Sequence, residues 1–474
     1  MFAIAGTRSG TQNDDTMNVD FELVKKYNVP GPRYTSYPTA LQFRDDVPAH
    51  SLLCAMRDDI TAGGNAVSLY VHIPFCRHLC WYCGCTNVPA GDAAGTERYI
   101  NALEREVFLR KNELGSELIV QQLHFGGGTP SALSPAQIDR ISEMLHGAFY
   151  FAEDAEISVE MDPRTASREV IAAFRRLGCS RASLGVQDLN AEVQLAIHRV
   201  QPFPVVRETV EALREAGFSS VNFDLIYGLP HQTTESFSKT LDGVLSLSPD
   251  RLSVFSYAHV PWIKPQQKLL ERENAFPSPD EKLAILKTAI EKLTRSGYVY
   301  IGMDHFAKEG DELATALRER RLQRNFEGYS THAGLPIVGL GMSSISQSAR
   351  SFSQNEKDLD GYVAALEAGT LPVVKGLILT EEDCRRREII MRVMCDLELD
   401  FSAIGKKLGG IDFAEKYRDS LEKLRPLADD GLVEFCDSGL KVTQTGRLFI
   451  RNIAMAFDAY FSPSVAGTRH SKTV

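Results

Sequence analysis

The chain has 474 residues, enough to bury a large core, and its composition of 43% hydrophobic and 24% charged residues is that of a globular protein. Its formal net charge of −10 argues against a general nucleic-acid binder, which needs a basic surface. The sequence contains no apolar run of about 18 residues and no signal-peptide core at its start, so we expect a cytoplasmic protein without a transmembrane helix.

The first fifty residues are predicted to form an arm rather than a domain. Residues 1–18 are polar and expected to be frayed, and the segment KKYNVPGPRYTSYPTA is too rich in proline and tyrosine for a regular element. Two interpretations stay open for this arm. It is either an extended segment packed on the main domain or a segment that lines and closes the active site.

Residues 51–365 are predicted to form one α/β catalytic domain. Amphipathic stretches with apolar residues at three- and four-residue spacing alternate with six short apolar runs, which are residues 68–75, 122–128, 156–163, 181–188, 220–228 and 251–258. Repeated βα units predict a parallel sheet with right-handed crossovers, either a partial TIM-type (β/α)6 barrel or an open doubly wound sheet. The barrel is favoured because every run ends in polar or glycine-rich residues, which a barrel brings together at one mouth.

The rest of the chain carries weaker patterns. A seventh strand is predicted over YVYIGMDHF, and residues 307–365 are predicted to be a loop-rich tail of the same domain. Residues 366–474 are predicted to form a separate, mainly helical domain whose helix, strand, turn and strand order resembles a winged-helix module. Such modules often bind DNA, but the acidic balance favours a packing or lid role.

Four of the nine cysteines crowd into the run FCRHLCWYCGCTN. Cys76, Cys80 and Cys83 have the spacing C-x3-C-x2-C, and close cysteine runs of this kind hold iron–sulfur clusters. A zinc ribbon would use two CxxC pairs, and the sequence has no second pair. Three thiolates bind three irons of a cubane and leave the fourth iron open for a ligand. Cys85 is interpreted as a packing thiol, because a fourth thiolate would block the open iron.

Several polar motifs follow the predicted strands. FGGGTP lacks the lysine of a phosphate-binding loop, but consecutive glycines let the backbone approach a polar ligand closely. Glu160, Gln187 and Asp224 lie near strand ends, where they either belong to a satisfied structural network or accept hydrogen bonds from a cofactor. The guanidinium of Arg199 either binds a carboxylate through two parallel hydrogen bonds or belongs to an ordinary arginine at a helix end.

The cysteine spacing directly after the first strand resembles the signature of the radical S-adenosylmethionine (SAM) superfamily. This resemblance implies that the open iron binds the amino and carboxylate groups of SAM, and that an electron from the cluster yields a 5′-deoxyadenosyl radical. From about residue 20 to GRLFIRNIAMAFDAY the chain also resembles the oxygen-independent coproporphyrinogen III oxidases. The resemblance is carried, in this order, by KYNVPGPRYTSYPTA, SLYVHIPFCRHLCWYCGC, LHFGGGTPSAL, EMDPR, GVQDLN, NFDLIYGLPHQT, RLSVFSYAHVP and IGMDHFA.

The family resemblance implies decarboxylation of two propionates of coproporphyrinogen III to the vinyls of protoporphyrinogen IX, in haem biosynthesis. The cofactors that it implies are one [4Fe-4S] cluster and two SAM molecules per turnover, and the partners are an electron donor such as flavodoxin or ferredoxin. It implies contacts to the cluster-bound SAM from Tyr70, Gly127, Glu160 and Ile345, with Tyr70, Glu160 and Ile345 as the catalytic candidates. It implies contacts to a second SAM from Tyr82, Gly128, Thr129, Gln187, Arg199, Asp224 and Ala258. The family tends to be monomeric, and the arm around Arg33 and Tyr34 is implied to lie over the active site, with Arg33 facing a tetracarboxylate substrate.

Two positions depart from the family pattern. Glu327 stands where relatives often have glutamine, and its carboxylate would repel the propionates unless it is protonated or turned away. Ser131 stands where threonine is usual, which preserves the hydroxyl.

Two other functions compete with the enzyme as explanations of this sequence. A haem chaperone with the same core typically has phenylalanine at the position of Cys85 and lacks the arm, so both features favour the enzyme. A winged-helix DNA regulator with a redox cluster would need a basic recognition helix, which the net charge of −10 disfavours.

Overall fold

The computed structural model describes residues 20–91, 93–115, 117–326, 328–462 and 471–473. The predicted frayed start, residues 1–18, and Glu327 lie outside the described residues. No helix in the described ranges combines the length and the apolar character that crossing a membrane requires.

Six parallel strands lie side by side in chain order at the centre of the molecule. We label them β1 to β6, with the bounds Ala66–Ile73, Ile119–Gly127, Tyr150–Met161, Arg181–Gln187, Ser220–Tyr227 and Arg251–Ser256. Helices before, between and after them span Ala49–Ala62, Ala93–Leu114, Pro135–Ala148, Arg168–Leu177, Ala191–Ala196, Phe203–Glu215, Thr234–Ser246, Lys268–Glu271 and Pro279–Arg295. The predicted partial barrel is confirmed. Its largest boundary error is in β3, which begins at Tyr150 rather than at residue 156.

The helix Arg168–Leu177 illustrates why these segments fold as they do. The Ser167 side chain accepts a hydrogen bond from the backbone N–H of Val170 at its start, and Gly178 ends it in the left-handed conformation at φ 114°. Its buried residues follow the helical period and pack toward the sheet; they are Val170, Ile171, Ala173, Phe174 and Leu177. One face of the helix therefore belongs to the central core.

Two predictions about the end of the catalytic region are wrong. The predicted strand YVYIGMDHF is a hairpin of Tyr298–Gly302 and His305–Lys308, and its second strand pairs antiparallel with β6. Residues 307–365 are not a loop-rich tail. Ile337–Leu340 pairs parallel with β1, and Ile345–Gln347, Ser351–Asn355 and Val373–Ile378 extend the sheet to twelve strands. This part also holds the helices Glu312–Arg318 and Leu359–Glu367 and a small hairpin of Gln323–Asn325 with Gly328–Ser330.

The C-terminal region packs against the N-terminal arm. Its helices are Glu381–Asp396, Phe401–Lys407, Phe413–Lys416, Arg418–Asp429 and Ile450–Met455, and its small sheet joins Glu398–Asp400, Val433–Cys436 and Gly439–Val442. The arm contains one helix that the sequence does not predict, Phe21–Tyr27. The side chain of Asp20 caps this helix. Tyr34 donates from its hydroxyl to Asp458 at 2.9 Å, which ties the arm to the far end of the chain.

Candidate active site

A cavity of about 560 Å³ runs through the barrel. Its wall includes the predicted cluster ligands Cys76, Cys80 and Cys83. Nine of the eleven predicted cofactor-binding residues also line it, namely Tyr82, Gly127, Gly128, Thr129, Glu160, Gln187, Arg199, Asp224 and Ala258. The barrel therefore brings residues that are up to 182 positions apart in the chain, from Cys76 to Ala258, to one space.

The remaining two predicted residues, Tyr70 and Ile345, are not in the wall of this cavity. Tyr70 lies on β1, where its hydroxyl and Nδ1 of His72 are 3.1 Å apart and its ring stacks on His124 with centroids 6.0 Å apart. His124 does line the cavity, so Tyr70 contacts a residue of its wall, and Tyr70 itself is partly exposed. Ile345 begins the strand Ile345–Gln347, which lies beside Ile337–Leu340, the parallel neighbour of β1. Its side chain packs against the cluster of Phe43, Phe352 and Leu379.

The cysteine loop follows β1 directly. Cys76 and Cys80 are buried, Cys83 is half-buried, and the short pairing of Phe75–Cys76 with Val88–Pro89 closes the loop at its base. Cys85 is exposed, and its backbone N–H donates to Sγ of Cys83 at 3.4 Å.

Each of the three predicted ligands has a polar partner. Oγ1 of Thr129 is 3.3 Å from Sγ of Cys76, and Nδ2 of Asn87 donates to Sγ of Cys83 at 3.4 Å. Cys80 receives two guanidinium donors, which are described below with their carboxylate. Hydrogen bonds of this kind stabilise thiolates and tune the potential of iron–sulfur clusters.

The environments of the loop thiols differ. A hydrogen bond from the side chain of Cys85 lowers the pKa of Cys83, whereas burial raises the pKa of Cys76 to about 11. The same side-chain contact raises the pKa of Cys85. Deprotonation is therefore easier at Cys83 than at Cys85.

An arginine–aspartate network, of which the sequence analysis singles out only Arg199, supports Cys80. Nη1 of Arg199 donates to Sγ of Cys80 at 3.4 Å, and Nη2 of Arg164 does so at 3.6 Å. Asp162 accepts from Arg164 at 2.7 Å and lies 3.0 Å from Arg199. Burial alone would raise the pKa of Asp162, but Arg199 and Arg164 lower it, so the carboxylate stays ionised and holds both guanidinium groups. The EMDPR motif was the available signal for Asp162 and Arg164.

Gly127, at the end of β2, and Gly128, directly after it, leave no room for side chains. A Cβ on Gly127, where φ is 111°, would lie 2.5 Å from Cε1 of His72, and a Cβ on Gly128 would lie 2.5 Å from the carbonyl carbon of Pro74. The N–H of Gly127 donates to Oε2 of Glu160 at 3.3 Å, and that of Gly128 donates to the Ile73 carbonyl at 2.8 Å. This close approach positions the glycine backbone beside the start of the cysteine loop.

Two carboxylates, on the strands β3 and β5, face the cavity. Besides Gly127, Glu160 on β3 contacts Nε2 of His124 at 3.3 Å. Asp224 on β5 accepts from Ser183 at 2.8 Å and from Asn222 at 2.9 Å. Burial raises the pKa of Asp224 to about 6. Ser131, one of the two departures from the family pattern, is buried, and its hydroxyl accepts from the Asp162 backbone N–H at 3.0 Å.

A second loop, which follows β6, donates side-chain hydrogen bonds to backbone carbonyls of the cysteine loop. Nε2 of Gln267 donates to the carbonyls of Tyr82 and Ala258, at 2.8 and 3.3 Å, and Nζ of Lys264 donates to the carbonyl of Cys85 at 2.6 Å. Gln267 therefore fixes the relative position of Tyr82 and Ala258, two of the predicted cofactor-binding residues. Nothing in the sequence pattern identified it.

The donor set fits an iron–sulfur cluster. The three thiols lie on one loop beside a cavity, and each has a polar partner. Among the described residues, no group of three or more histidine, cysteine or acidic side chains is arranged to chelate one metal ion. A cubane does not need such a group, because each cysteine binds a different iron.

Gln187, in the same wall, is buried, and its Oε1 has no hydrogen-bond partner among the described residues, as expected for a group that accepts from a bound molecule.

Comparison with known proteins places these features in a family context. Residues 70–244 match the model of the radical SAM superfamily, and residues 379–449 match the HemN C-terminal domain. The chain is 45% identical to the oxygen-independent coproporphyrinogen III oxidase of Helicobacter pylori strain J99 over 96% of this chain and 99% of that protein. It is 44% identical to the enzyme of the same name from Escherichia coli K12 over 96% and 98%.

The fold also matches a solved structure. That structure is of the coproporphyrinogen III oxidase (HemN) from Escherichia coli, a radical SAM enzyme, and it aligns with a TM-score of 0.88 at 43% identity. The match covers 94% of this chain and 100% of that one.

Proposed function

Because the chain belongs to the family of oxygen-independent coproporphyrinogen III oxidases, we propose that it converts coproporphyrinogen III to protoporphyrinogen IX without oxygen. In this reaction each of two propionates loses CO2, one proton and two electrons and becomes a vinyl group. The observation that carries the proposal is that the C-x3-C-x2-C loop and the glycine, glutamate and arginine motifs of the family face one cavity, within a chain that is 43–45% identical to these enzymes. As a radical SAM enzyme the chain uses a [4Fe-4S] cluster and SAM.

We assign the cluster to Cys76, Cys80 and Cys83. When bound, the cluster supplies the single electron that generates a substrate-oxidising radical from SAM. The chain's own part is to keep the three sulfurs anionic and in place. Arg199 and Arg164 do this for Cys80 by donating to its sulfur, and Asp162 holds their guanidinium groups in position.

The cofactor-binding residues form two groups in the proposal. Tyr70, Gly127, Glu160 and Ile345 serve the cluster-bound SAM, and the Glu160 carboxylate, already within reach of the Gly127 N–H, accepts from its amino group. Tyr82, Gly128, Thr129, Gln187, Arg199, Asp224 and Ala258 serve a second SAM, which would give the stoichiometry of two per turnover. The partly buried Asp224 and the buried Gln187 are suited to accept hydrogen bonds from ribose hydroxyls.

The arm supplies a cation for the substrate in this proposal. Arg33 pairs with Asp304 and lies over the ring of Phe255, which lines the cavity. A guanidinium at this point attracts the carboxylates of a tetracarboxylate and helps to orient it. The arm spans residues 1–50 in the proposal, the catalytic domain 51–365 and the helical, winged-helix-like domain 366–474. We further propose a cytoplasmic monomer that is reduced by a flavodoxin or ferredoxin.

The test is anaerobic turnover of coproporphyrinogen III with SAM and a reductant. We expect protoporphyrinogen IX with two deoxyadenosines per product. Cys80→Ala should abolish both the absorption of the cluster near 400 nm and turnover, while Cys436→Ala, which alters an exposed thiol in the C-terminal hairpin, should retain both. Tight haem binding without turnover would support the chaperone alternative, and turnover by Cys80→Ala would contradict the assignment.

A further inference from the structure

Large apolar side chains are exposed around the cysteine loop, which spans residues 76–85. Thirteen side chains of this kind are exposed in the described ranges, and five of them lie in only three segments of ten residues each, 76–85, 191–200 and 261–270. We call these five the apolar rim; they are Leu79, Leu195, Val200, Trp262 and Ile263. Scattered apolar residues are normal on a protein surface, whereas a concentration like this one is typical of an interaction site.

Segment 191–200 lies against the first half of the cysteine loop. The N–H of Trp81 donates to the carbonyl of Ile197 at 3.1 Å, and Nδ1 of His198 lies 2.9 Å from the carbonyl oxygen of Leu79. The rings of Trp81 and His198 stack, with their centroids 5.0 Å apart. The rim residues of this segment are therefore held close to the loop.

Segment 261–270 lies against the second half of the same loop. Besides the contact from Lys264 to Cys85, Nε2 of Gln266 donates to the carbonyl of Cys83 at 3.1 Å. All three segments also contribute to one small core, in which Trp81 and Tyr82 of the loop pack against a cluster that includes Val193, Ile197 and Leu270. The apolar rim and the cysteine loop therefore belong to one structural unit.

The apolar rim is not part of the active-site cavity, because none of its five residues lines that space. Trp262 and Ile263 are 62% and 61% exposed, so within the described ranges the chain itself does not cover them. A ligand confined to the cavity does not cover them either. Tryptophan is enriched among the side chains that dominate protein–protein binding, so the rim fits a protein partner that approaches the loop from outside.

The charged side chains of the three segments are mainly cationic. Arg199 is buried and lies 3.0 Å from Asp162, so its charge is compensated. The others are Arg77, Lys264, Lys268 and Glu192. In the described part of the chain none of these three cations forms an ion pair with a carboxylate, and two of them donate to backbone carbonyls instead.

Positive charge continues beyond the three segments. Burial, followed by the charges of Lys375 and Lys264, lowers the pKa of Lys357, and the neighbouring Glu356 opposes this shift. Lys357 and Lys375 form no ion pair with any described residue either. The cysteine loop thus lies in a positive region of a chain whose net charge is −10.

We propose that the apolar rim and the cations beside it dock a small acidic electron-transfer protein that reduces the cluster. The inference rests on the proposed function, because it takes the cluster as bound by the cysteine loop. The reduced donor loses one electron and the cluster gains it, and no bond forms or breaks. Leu79 precedes Cys80 in the chain, so a partner that contacts the rim comes close to a cluster ligand.

The chemistry of the surface matches such a partner. Cations without ion pairs attract an acidic protein and speed its association, and the exposed apolar side chains supply the contact once it arrives. Electron-transfer complexes are weak and need only a small interface, which five apolar residues and a few charges can provide.

The experiment measures binding of a bacterial flavodoxin of strongly negative net charge by isothermal titration calorimetry, to the reconstituted chain and to the cluster-free chain. Trp262→Ser should raise the dissociation constant by about 10- to 100-fold, and Leu195→Ser should raise it in the same direction. Lys268→Glu should raise it by about 3- to 10-fold at about 50 mM salt and by less at about 500 mM.

Matched controls come from other parts of the chain. Phe108, on the helix Ala93–Leu114, is 64% exposed, and Lys423, on the helix Arg418–Asp429, is exposed and has no ion pair with a described residue. Phe108→Ser and Lys423→Glu should leave the dissociation constant unchanged.

A second measurement follows reduction of the cluster near 400 nm in stopped flow. With reduced flavodoxin, Trp262→Ser and Lys268→Glu should slow the second-order rate by about the factor by which they weaken binding. With dithionite, which needs no docking surface, both variants should be reduced as fast as wild type.

The outcomes separate the inference from its alternatives. Equal dissociation constants for Trp262→Ser and Phe108→Ser would overturn it, and so would equally slowed reduction by dithionite, which would indicate a disturbed loop. A raised KM for coproporphyrinogen III in Lys268→Glu, with flavodoxin binding unchanged, would assign the cations to the substrate instead. A dimer in sedimentation that Trp262→Ser dissociates would assign the rim to a second copy of this chain.

Failure of the proposed function is recognised separately. If the wild type takes up no cluster, or turns over no coproporphyrinogen III with dithionite, the proposed function fails. If it does both but flavodoxin binds wild type and Trp262→Ser alike, the inference alone fails.

Discussion

Replacing Gly128 by alanine tests whether the glycine backbone positions the cysteine loop. The added Cβ would lie 2.5 Å from the Pro74 carbonyl carbon and 3.0 Å from the Ile73 carbonyl oxygen, whereas ordinary contacts begin at 3.4 Å. Both neighbours are backbone atoms, so a side-chain rotation cannot relieve the overlap. Pro74 and the loop after it must move by about 1 Å, at a cost of about 1–3 kcal/mol.

A shift of this size falls on the segment that leads directly to Cys76. Sites of this kind hold their ligands within about 0.5 Å, and disturbing the residues behind metal ligands typically weakens metal affinity by about 10- to 100-fold. We expect Gly128→Ala to lower the unfolding temperature by a few degrees and to lose most of its iron and labile sulfide after reconstitution and desalting.

The matched control is Gly147→Ala, near the end of the helix Pro135–Ala148. Its added Cβ meets nothing within 4 Å, and alanine favours helix over glycine by about 0.5–1 kcal/mol. This variant should keep its iron and unfold at the same or a slightly higher temperature. Full iron content in Gly128→Ala, at an unfolding temperature equal to that of Gly147→Ala, would refute the reasoning.

Two further predictions concern buried carboxylates. Burial raises the pKa of Asp224 to about 6, above the unfolded value of about 3.9, so its contribution to stability is present below pH 4 and is lost as the pH rises to 6. The unfolding temperature of wild type minus that of Asp224→Asn should therefore fall between pH 4 and 6, and a difference independent of pH would contradict the assignment. Glu106 is fully buried, lies 3.4 Å from Arg110 and accepts from the Gly341 backbone at 2.7 Å, so Glu106→Gln should destabilise the fold by about 3–5 kcal/mol in urea unfolding. The same change at the exposed Glu422 should cost less than about 1 kcal/mol, and equal losses for the two variants would be incompatible with this account.

The barrel was predictable because its signals are local. Six apolar runs of strand length, separated by helices with a three- and four-residue period, indicate βα units before any contact is known. In parallel strands the carboxyl ends share one edge, so placing the motifs at strand ends already predicted that they would meet. The cysteine spacing is likewise local, and Cys76, Cys80 and Cys83 lie at the cavity as that spacing indicates.

The prediction failed where short segments gain their structure from distant partners. Ile337–Leu340 is buried on both faces and so shows no alternation, yet it pairs with β1 some 270 positions earlier in the chain. The turn inside YVYIGMDHF depends on Met303 at a positive φ of 51°, which the apolar pattern does not reveal. The roles of Tyr70 and Ile345 stay predictions from the resemblance, and the coordinates show only that neither is among the residues lining the cavity.

By itself the sequence determined the class of fold and the family and predicted the cluster ligands, because periodicity, spacing and motif order are properties of the covalent chain. Tertiary structure alone decided the electrostatics of the site. Whether Cys80 meets two guanidinium groups depends on which side chains packing brings within hydrogen-bonding distance of each other, and that is set by the whole fold.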